Sequence, residues 1–317
     1  MKSAHDKIVR LADKLRMTPN TRGEFNSMRK EVLAELRKSL ANQKNATKNP
    51  WKFSFRTEIK TGSFYRQTAT ENQSDVDVVI ALNYKSNNPS EVPNPIDVLR
   101  FVKSIVPKKF DPKIKKRAVT VHSKIGKKSI TMDIVPAIIR VGKNSGQSTW
   151  WNGISKVNSR DKWVKLNPTH QKEIMEKLKR RQGQRDDPSS LIICLKRWRD
   201  VHEKKGAPCE LPSYVLEVLV WEDYNKSKEE KDLTVRFNRI LIGFKRIHGK
   251  GVKFSDIMGE SHRPKGSKVA TGKPLLHDPS NTSVNLVEHI DRQDLLWWGE
   301  RATMASSNKK SFEKIFD

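Results

Sequence analysis

Residues 75 to 82 read Asp-Val-Asp-Val-Val-Ile-Ala-Leu, and this run leaves little choice of local structure. A short apolar stretch dense in β-branched residues is a buried β-strand. Side chains at i and i+2 of a strand point to one face, so Asp75 and Asp77 stand together at the rim of a sheet, about 7 Å apart by strand rise. Two carboxylates so placed suit joint capture of a divalent cation better than unpaired burial.

The chain has 317 residues, enough for one large domain or two lobes with a core. Its net charge is +27 and its pI near 10.1, with 31% charged and 35% hydrophobic residues. An excess of this size concentrates polyanions, which makes nucleic acid or nucleotides the expected partners. The plainer alternative is a basic protein whose charge only aids solubility. Cys194 and Cys209 lack metal-type spacing, which argues against a disulfide framework and fits a reducing cytoplasm. The first ten residues carry no apolar signal core, and no apolar run approaches the roughly 20 residues that cross a bilayer, so the expectation is a cytoplasmic protein with no membrane partner.

Helical periodicity covers residues 3 to 17 and 22 to 42, the second with Phe25, Met28, Val32, Leu33, Leu36 and Leu40 on one face and a capping-box spacing at Thr21 and Glu24. Its other face offers Arg29, Lys30, Arg37 and Lys38 as candidate RNA contacts. Strands are predicted over 53–59, 76–82, 118–123 and 129–134, with a helix over 95–105 and a hairpin turn at Lys124 to Lys128. Between Lys108 and Lys128 nine Lys or Arg face one Asp; Lys115, Lys116 and Arg117 in this patch are further candidate RNA contacts. The Gly, Asn, Ser and Gln content of 140 to 161 places a lobe boundary there, giving a catalytic lobe with helical spine over 1–155 and a helical lobe over 156–317. Helices are expected over 168–182, 188–204, 212–225 and 229–248, a long polar loop over 249–273, and a last helical region holding Leu286, Leu295, Leu296, Trp297 and Trp298.

A third acid, Asp133, interrupts the apolar strand Ser-Ile-Thr-Met-Asp-Ile-Val-Pro and needs a partner. A neighbouring strand bearing Asp75 and Asp77 supplies one through shared metal, since three carboxylates on adjacent strands can hold two Mg²⁺ or Mn²⁺ ions. The Gly62-Ser63 turn lets backbone and hydroxyl approach phosphate oxygens. Tyr65, Trp150, Trp151 and Trp163 are aromatic candidates for base stacking, with packing the commoner role.

Gly62-Ser63 to Thr68, Ser74-Asp75-Val76-Asp77 and Met132-Asp133-Ile134-Val135-Pro136-Ala137 together resemble the polymerase β-like nucleotidyltransferases, in their oligoadenylate synthase and CD-NTase (cGAS/DncV-like) branch. Leu195-Lys196-Arg197-Trp198, the run Leu211-Pro212-Ser213-Tyr214 and the late His277-Asp278-Pro279 with Asn285 are similar to further stretches of that branch. The resemblance implies a two-lobed α+β fold, a mixed-sheet catalytic lobe with an N-terminal helical spine and a helical second lobe. It also implies Asp75, Asp77 and Asp133 as metal-holding catalytic residues, and Gly62, Ser63, Lys196 and Ser213 as nucleotide contacts. Read from the residues alone, Lys196 is a surface lysine on a face away from its helix's core stripe before it is a cation for the triphosphate. Ser213 can simply cap a helix, and Glu217 can pair with a basic neighbour.

The expected activity is template-independent condensation of nucleoside triphosphates into a cyclic or short linear messenger with release of pyrophosphate, in antiviral or anti-phage signalling of the CBASS type, with RNA as activator or substrate. An RNA 3′-end transferase of the CCA-adding or tRNA-modifying kind uses the same acids and also explains the basic surface. A non-catalytic RNA-binding module is the third possibility.

Overall fold

The computed structural model describes residues 4–42, 51–71, 75–85, 91–115, 117–125, 128–140, 151–156, 159–165, 173, 176, 188–227, 229–249, 276–278 and 281–307. The chain folds as two compact units, Met17–Thr169 and Met1–Arg16 with His170–Asp317.

The Met17–Thr169 unit is built on a mixed sheet. β1 (Ser54–Lys60) pairs antiparallel with β2 (Asp75–Tyr84), which runs parallel to β5 (Lys128–Arg140). β5 pairs antiparallel with β4 (Val119–Ile125), and β4 with β3 (Lys113–Ile114). The far half of β5 takes β6 (Trp151–Lys156), which pairs in turn with β7 (Ser159–Lys165). Alternation along β2 sends Val76, Val78, Ile80 and Leu82 into one core. There they meet the stripe of α2 (Pro19–Asn42), whose buried members include Phe25, Met28, Val32, Leu33, Leu36 and Leu40, and the apolar face of α4 (Pro95–Ile105). On the opposite face, Val79 packs in a small second cluster with Ile59 and Ala137. Asp77, two residues before Val79, is the half-buried position where that face begins to open.

α4 starts as expected, with Pro95 at its first position and the Asn94 side chain accepting from the Ile96 N–H at 3.1 Å. The cap of α2 lies three residues before Thr21: Thr18 Oγ1 accepts from the Thr21 N–H at 3.3 Å, so Thr18 is the cap and Pro19 the first helical residue. The Glu71 carboxylate then accepts from both the Thr18 N–H at 2.9 Å and the Thr21 hydroxyl at 2.8 Å. A carboxylate from the loop before β2 thus does what Glu24 was expected to do from inside the helix.

The region read as a boundary, 140 to 161, carries β6 and the start of β7 instead. Strands pair through their backbone amides whatever their side chains, which is why this Asn-, Gly- and Lys-rich segment hid them. The hairpin between β4 and β5 is in its expected place, with Ile125 opposite Lys128.

The other unit is mainly helical: α1 (Ala4–Leu15), α5 (Pro188–Lys204), α6 (Ser213–Lys226), α7 (Leu233–Gly249) and α8 (Arg292–Ser307), with a hairpin of β8 (His277–Asp278) and β9 (Asn281–Asn285). Its core is tryptophan-rich, with Trp198, Trp221 and Trp298 fully buried. α1 belongs here and not with the sheet, because Ile8 and Ala12 sit in this core and the Cys194 thiol bonds the Ile8 carbonyl at 3.5 Å. The units therefore divide at 16/17 and 169/170, where the sequence pattern placed one boundary at 155/156. The helix expected over 168–182, helical at Glu173 and Glu176, and the loop over 249–273 lie otherwise outside the described residues. No described helix is long and apolar enough to cross a membrane.

Replacing Thr18 with Ala removes the α2 cap. Urea unfolding should report a loss of about 1 kcal/mol.

Candidate active site

Three adjacent strands place a row of polar side chains across the sheet. In the parallel pairing of β2 with β5, Asp77 lies opposite Asp133, and in the antiparallel pairing of β5 with β4, Asp133 lies opposite Thr120. Paired residues share a face and adjacent strands are about 4.8 Å apart, so Asp77 and Asp133 are lateral neighbours. The Thr120 hydroxyl, fully buried, donates to Asp133 Oδ1 at 2.5 Å. Lys115 Nζ stands 3.6 Å from the same oxygen, and the Asp133 side chain is 20% exposed. Asp75 opens β2 opposite Thr131 in the backbone register. Its side chain is outside what the structure describes, and among the described residues no group of three acids, histidines or cysteines forms a metal cage.

Gly62 and Ser63 were expected in a turn. They begin a short helix, α3 (Gly62–Arg66), which Gln67 ends in a left-handed conformation at φ 63°. Phe64 anchors it, 2% exposed and 5.8 Å between ring centroids from Phe25. Gly62 itself has φ +77°, and a Cβ there would come within 2.5 Å of Asp77 Oδ2. The glycine is required twice over, by its backbone angle and by the carboxylate against it. Ser63 is 6% exposed, and its carbonyl accepts the Thr68 N–H at 2.9 Å. The neighbouring Tyr65 stacks edge-on against Phe64, and burial pushes its phenol up to about 12.

Lys196 and Ser213 belong to the helical unit. The sequence placed Lys196 on a face away from the core, yet residues 188 to 196 of α5 are buried without a break. Lys196 is 3% exposed and sits 3.5 Å from Glu217 of α6, itself fully buried. The modest expectation for Glu217, an ion pair, is what the structure has, and the partner is the lysine assigned to phosphate. Ser213 Oγ accepts from Arg199 at 2.6 Å, and the same guanidinium donates to the Leu211 carbonyl at 3.1 Å. Asn285 also works locally, its side-chain oxygen accepting the N–H groups of Leu276 at 3.0 Å and Val287 at 3.3 Å.

Among the basic candidates, Lys30, Arg37, Lys38 and Arg117 are exposed, and Arg37 lies 4.6 Å from the Phe55 ring centre. Arg29 is a correction: it is 6% exposed and bonded to Glu58 of β1 at 2.5 Å, because it follows Phe25 by one helical turn on the buried stripe. Lys116 lies outside the described residues. Trp163 donates its ring N–H to the Pro93 carbonyl at 2.6 Å and packs on the sheet core, a structural role. Thr120 is the site residue that pattern reading missed. Counting back along the hairpin from Ile125 opposite Lys128 would have found it opposite Asp133.

No sequence-family model matches the chain, and no curated protein matches it in sequence. Structures do. CdnC of E. coli MS115-1 with ATP superposes with a TM-score of 0.71 at 18% identity, over 98% of this chain and 97% of that one. The Bradyrhizobium diazoefficiens CD-NTase CdnG in complex with GTP gives 0.64 at 10% identity, over 99% and 96%. The Elizabethkingia meningoseptica CdnE cyclic dinucleotide synthase with GTP and Apcpp gives 0.58 at 12%, over 97% and 100%. This chain has the CD-NTase fold. At these identities the likeness is one of backbone; in this chain Gly62 and Ser63 lie on α3, Asp75 and Asp77 on β2 and Asp133 on β5.

Gly62→Ala forces a left-handed alanine against Asp77. The expected loss is about 1–3 kcal/mol in urea unfolding. Lys196→Met takes the counter-charge from buried Glu217 and should cost about 3–5 kcal/mol, most of which Lys196→Met with Glu217→Leu should restore.

Proposed function

We propose that this chain is a metal-dependent nucleotidyltransferase that condenses nucleoside triphosphates, without a template, into a cyclic or short linear oligonucleotide. The observation that carries the reading is the in-register adjacency of Asp77 and Asp133 on parallel strands, with the Gly62 backbone closed against Asp77. Two hard oxygen donors on rigid strands fit Mg²⁺ or Mn²⁺, and the strand entrance where they lie is half-open. The tight approach of Gly62 to Asp77 Oδ2 is a cradle that any side chain would fill. The ATP, GTP and Apcpp of the structural neighbours support triphosphates as substrates.

In this reading Asp77, Asp133 and Asp75, two residues before Asp77 on the strand, would together hold two divalent ions. When bound, such ions lower the barrier by activating the attacking hydroxyl and neutralising the departing pyrophosphate. A hydroxyl oxygen forms the new bond to the α-phosphorus, the bond to pyrophosphate breaks, and Asp133 receives the hydroxyl proton. Ser63 and the backbone at Gly62 grip the donor phosphates. Lys196 and Ser213 are assigned to the triphosphate by resemblance alone, and each must exchange its present partner, Glu217 or Arg199, to reach it.

We assign the surplus of +27 to RNA, as activator or substrate, contacted by the exposed Lys30, Arg37, Lys38 and Arg117 with Lys115. Such binding is backbone-directed and weakens steeply with salt. A place in antiviral or anti-phage signalling follows from the resemblance.

The test is incubation with labelled triphosphates and Mg²⁺ or Mn²⁺, with and without double-stranded RNA, and mass spectrometry of the products. Small phosphatase-resistant products are expected, and Asp77→Asn should lower their yield at least about a hundredfold. Label retained on tRNA would instead make the chain a 3′-end transferase, and an Asp77→Asn chain that keeps every biological output would make it a binding module.

A further inference from the structure

We propose that Thr120 is the positioning residue of Asp133, and that Lys115 is the cation that balances this carboxylate until a divalent ion replaces it. The inference rests on the nucleotidyltransferase reading and adds two residues to its site. Asp133 stands between Thr120 on one neighbouring strand and Asp77 on the other. Two side chains meet it on one oxygen: the Thr120 hydroxyl at 2.5 Å and Lys115 Nζ at 3.6 Å both face Oδ1. Oδ2 has no donor among the described residues, so one oxygen of Asp133 is fixed and the other is left for a ligand.

The two partners differ in kind. Thr120 is fully buried in β4, and its β-branch limits the hydroxyl to few rotamers, so it holds the carboxylate in one rotation. Lys115 is 52% exposed, at the end of a flexible stem, although its backbone N–H is tied to the Ala118 carbonyl at 2.9 Å. A half-exposed ammonium leaves readily. An ion arriving at Asp133 meets a positive charge that must move and a hydroxyl that stays. Losing a partner that orients a metal-ligating carboxylate in this way typically costs about 10–100-fold in metal affinity.

The experiment measures Mn²⁺ binding to the full chain without nucleotide, by calorimetry and by the electron paramagnetic signal of free Mn²⁺, alongside thermal unfolding and steady-state kinetics. Thr120→Val keeps the shape and removes the hydroxyl, and should weaken Mn²⁺ binding about 10–100-fold, lowering kcat with little change in KM for triphosphate. Thr120→Ser should return affinity to within about threefold of wild type. Lys115→Met should tighten Mn²⁺ binding several-fold by removing a like charge. Wild-type affinity in Thr120→Val, or no rescue by Ser, overturns the role of Thr120. Should the valine variant not fold, the serine variant still decides: it must bind Mn²⁺ within about threefold of wild type, and a larger loss overturns the assignment. Unchanged affinity in Lys115→Met overturns the role of Lys115. A wild-type chain that takes no Mn²⁺ overturns the metal reading and this inference together, whereas normal Mn²⁺ binding without nucleotide transfer overturns the reaction alone.

Discussion

Everything at the candidate site depends on the register in which β2 runs beside β5. The ladder pairs Asp77 with Asp133 and, on the next residue pair, Val78 with Ile134. Because side chains alternate, a slip of one residue would turn Asp133 into the core and bring Met132 or Ile134 out. Burial holds the register: Val76, Val78 and Ile80 on β2 and Met132 and Ile134 on β5 are all at most 1% exposed, in one cluster. A pair of acids on neighbouring strands is unfavourable by itself. Hydrophobic burial of the opposite face keeps it in place, so the position of the acids is fixed by residues on the other side of the sheet.

Gly62 extends the same constraint into the chain before β2. With Asp77 fixed, the approaching backbone at residue 62 lies so near Oδ2 that no side chain fits, and the short helix that follows is tied down by Phe64 in the core below. Glu71 then closes the segment onto α2 by accepting from Thr18 and Thr21. Helix start, Gly-Ser segment and acidic strand are thus one connected unit of structure, although they spread over some sixty residues of sequence.

Much of this was legible in the sequence because it is local. The apolar stripe of α2, the extent of α4, the strands and the β4–β5 hairpin follow from periodicity and turn chemistry, and the acids were marked by their cost in apolar strands. What lay hidden was long-range or backbone-driven. That Asp77 stands level with Asp133 depends on a parallel pairing across a crossover of more than forty residues, whose register no local pattern records. The β6–β7 hairpin pairs through its amides and shows no alternation. Lys196 looked external because helical-wheel reading assumes one wet face, whereas this turn of α5 is covered on all sides. Thr120 was within reach of a simple count along the hairpin, but a threonine in a strand gives no signal of its own.

Charge divides into local and global parts in the same way. A surplus of +27 reads as a polyanion-binding surface only to the extent that the cations are outside. Several are not. Arg29 is committed to Glu58, Lys196 to Glu217, and Arg236, fully buried, to Asp223, the carbonyls of Ser227 and Glu230, and the face of Tyr224 at 3.8 Å. Each such pair removes one positive and one negative charge from the surface together, so the net surplus is untouched while the exposed groups become more uniformly basic. Burying acids with bases therefore raises the positive character of the remaining surface per charged group. That is why the burial of Arg29 against Glu58 takes one candidate contact away from a polyanion without weakening the electrostatic argument for one.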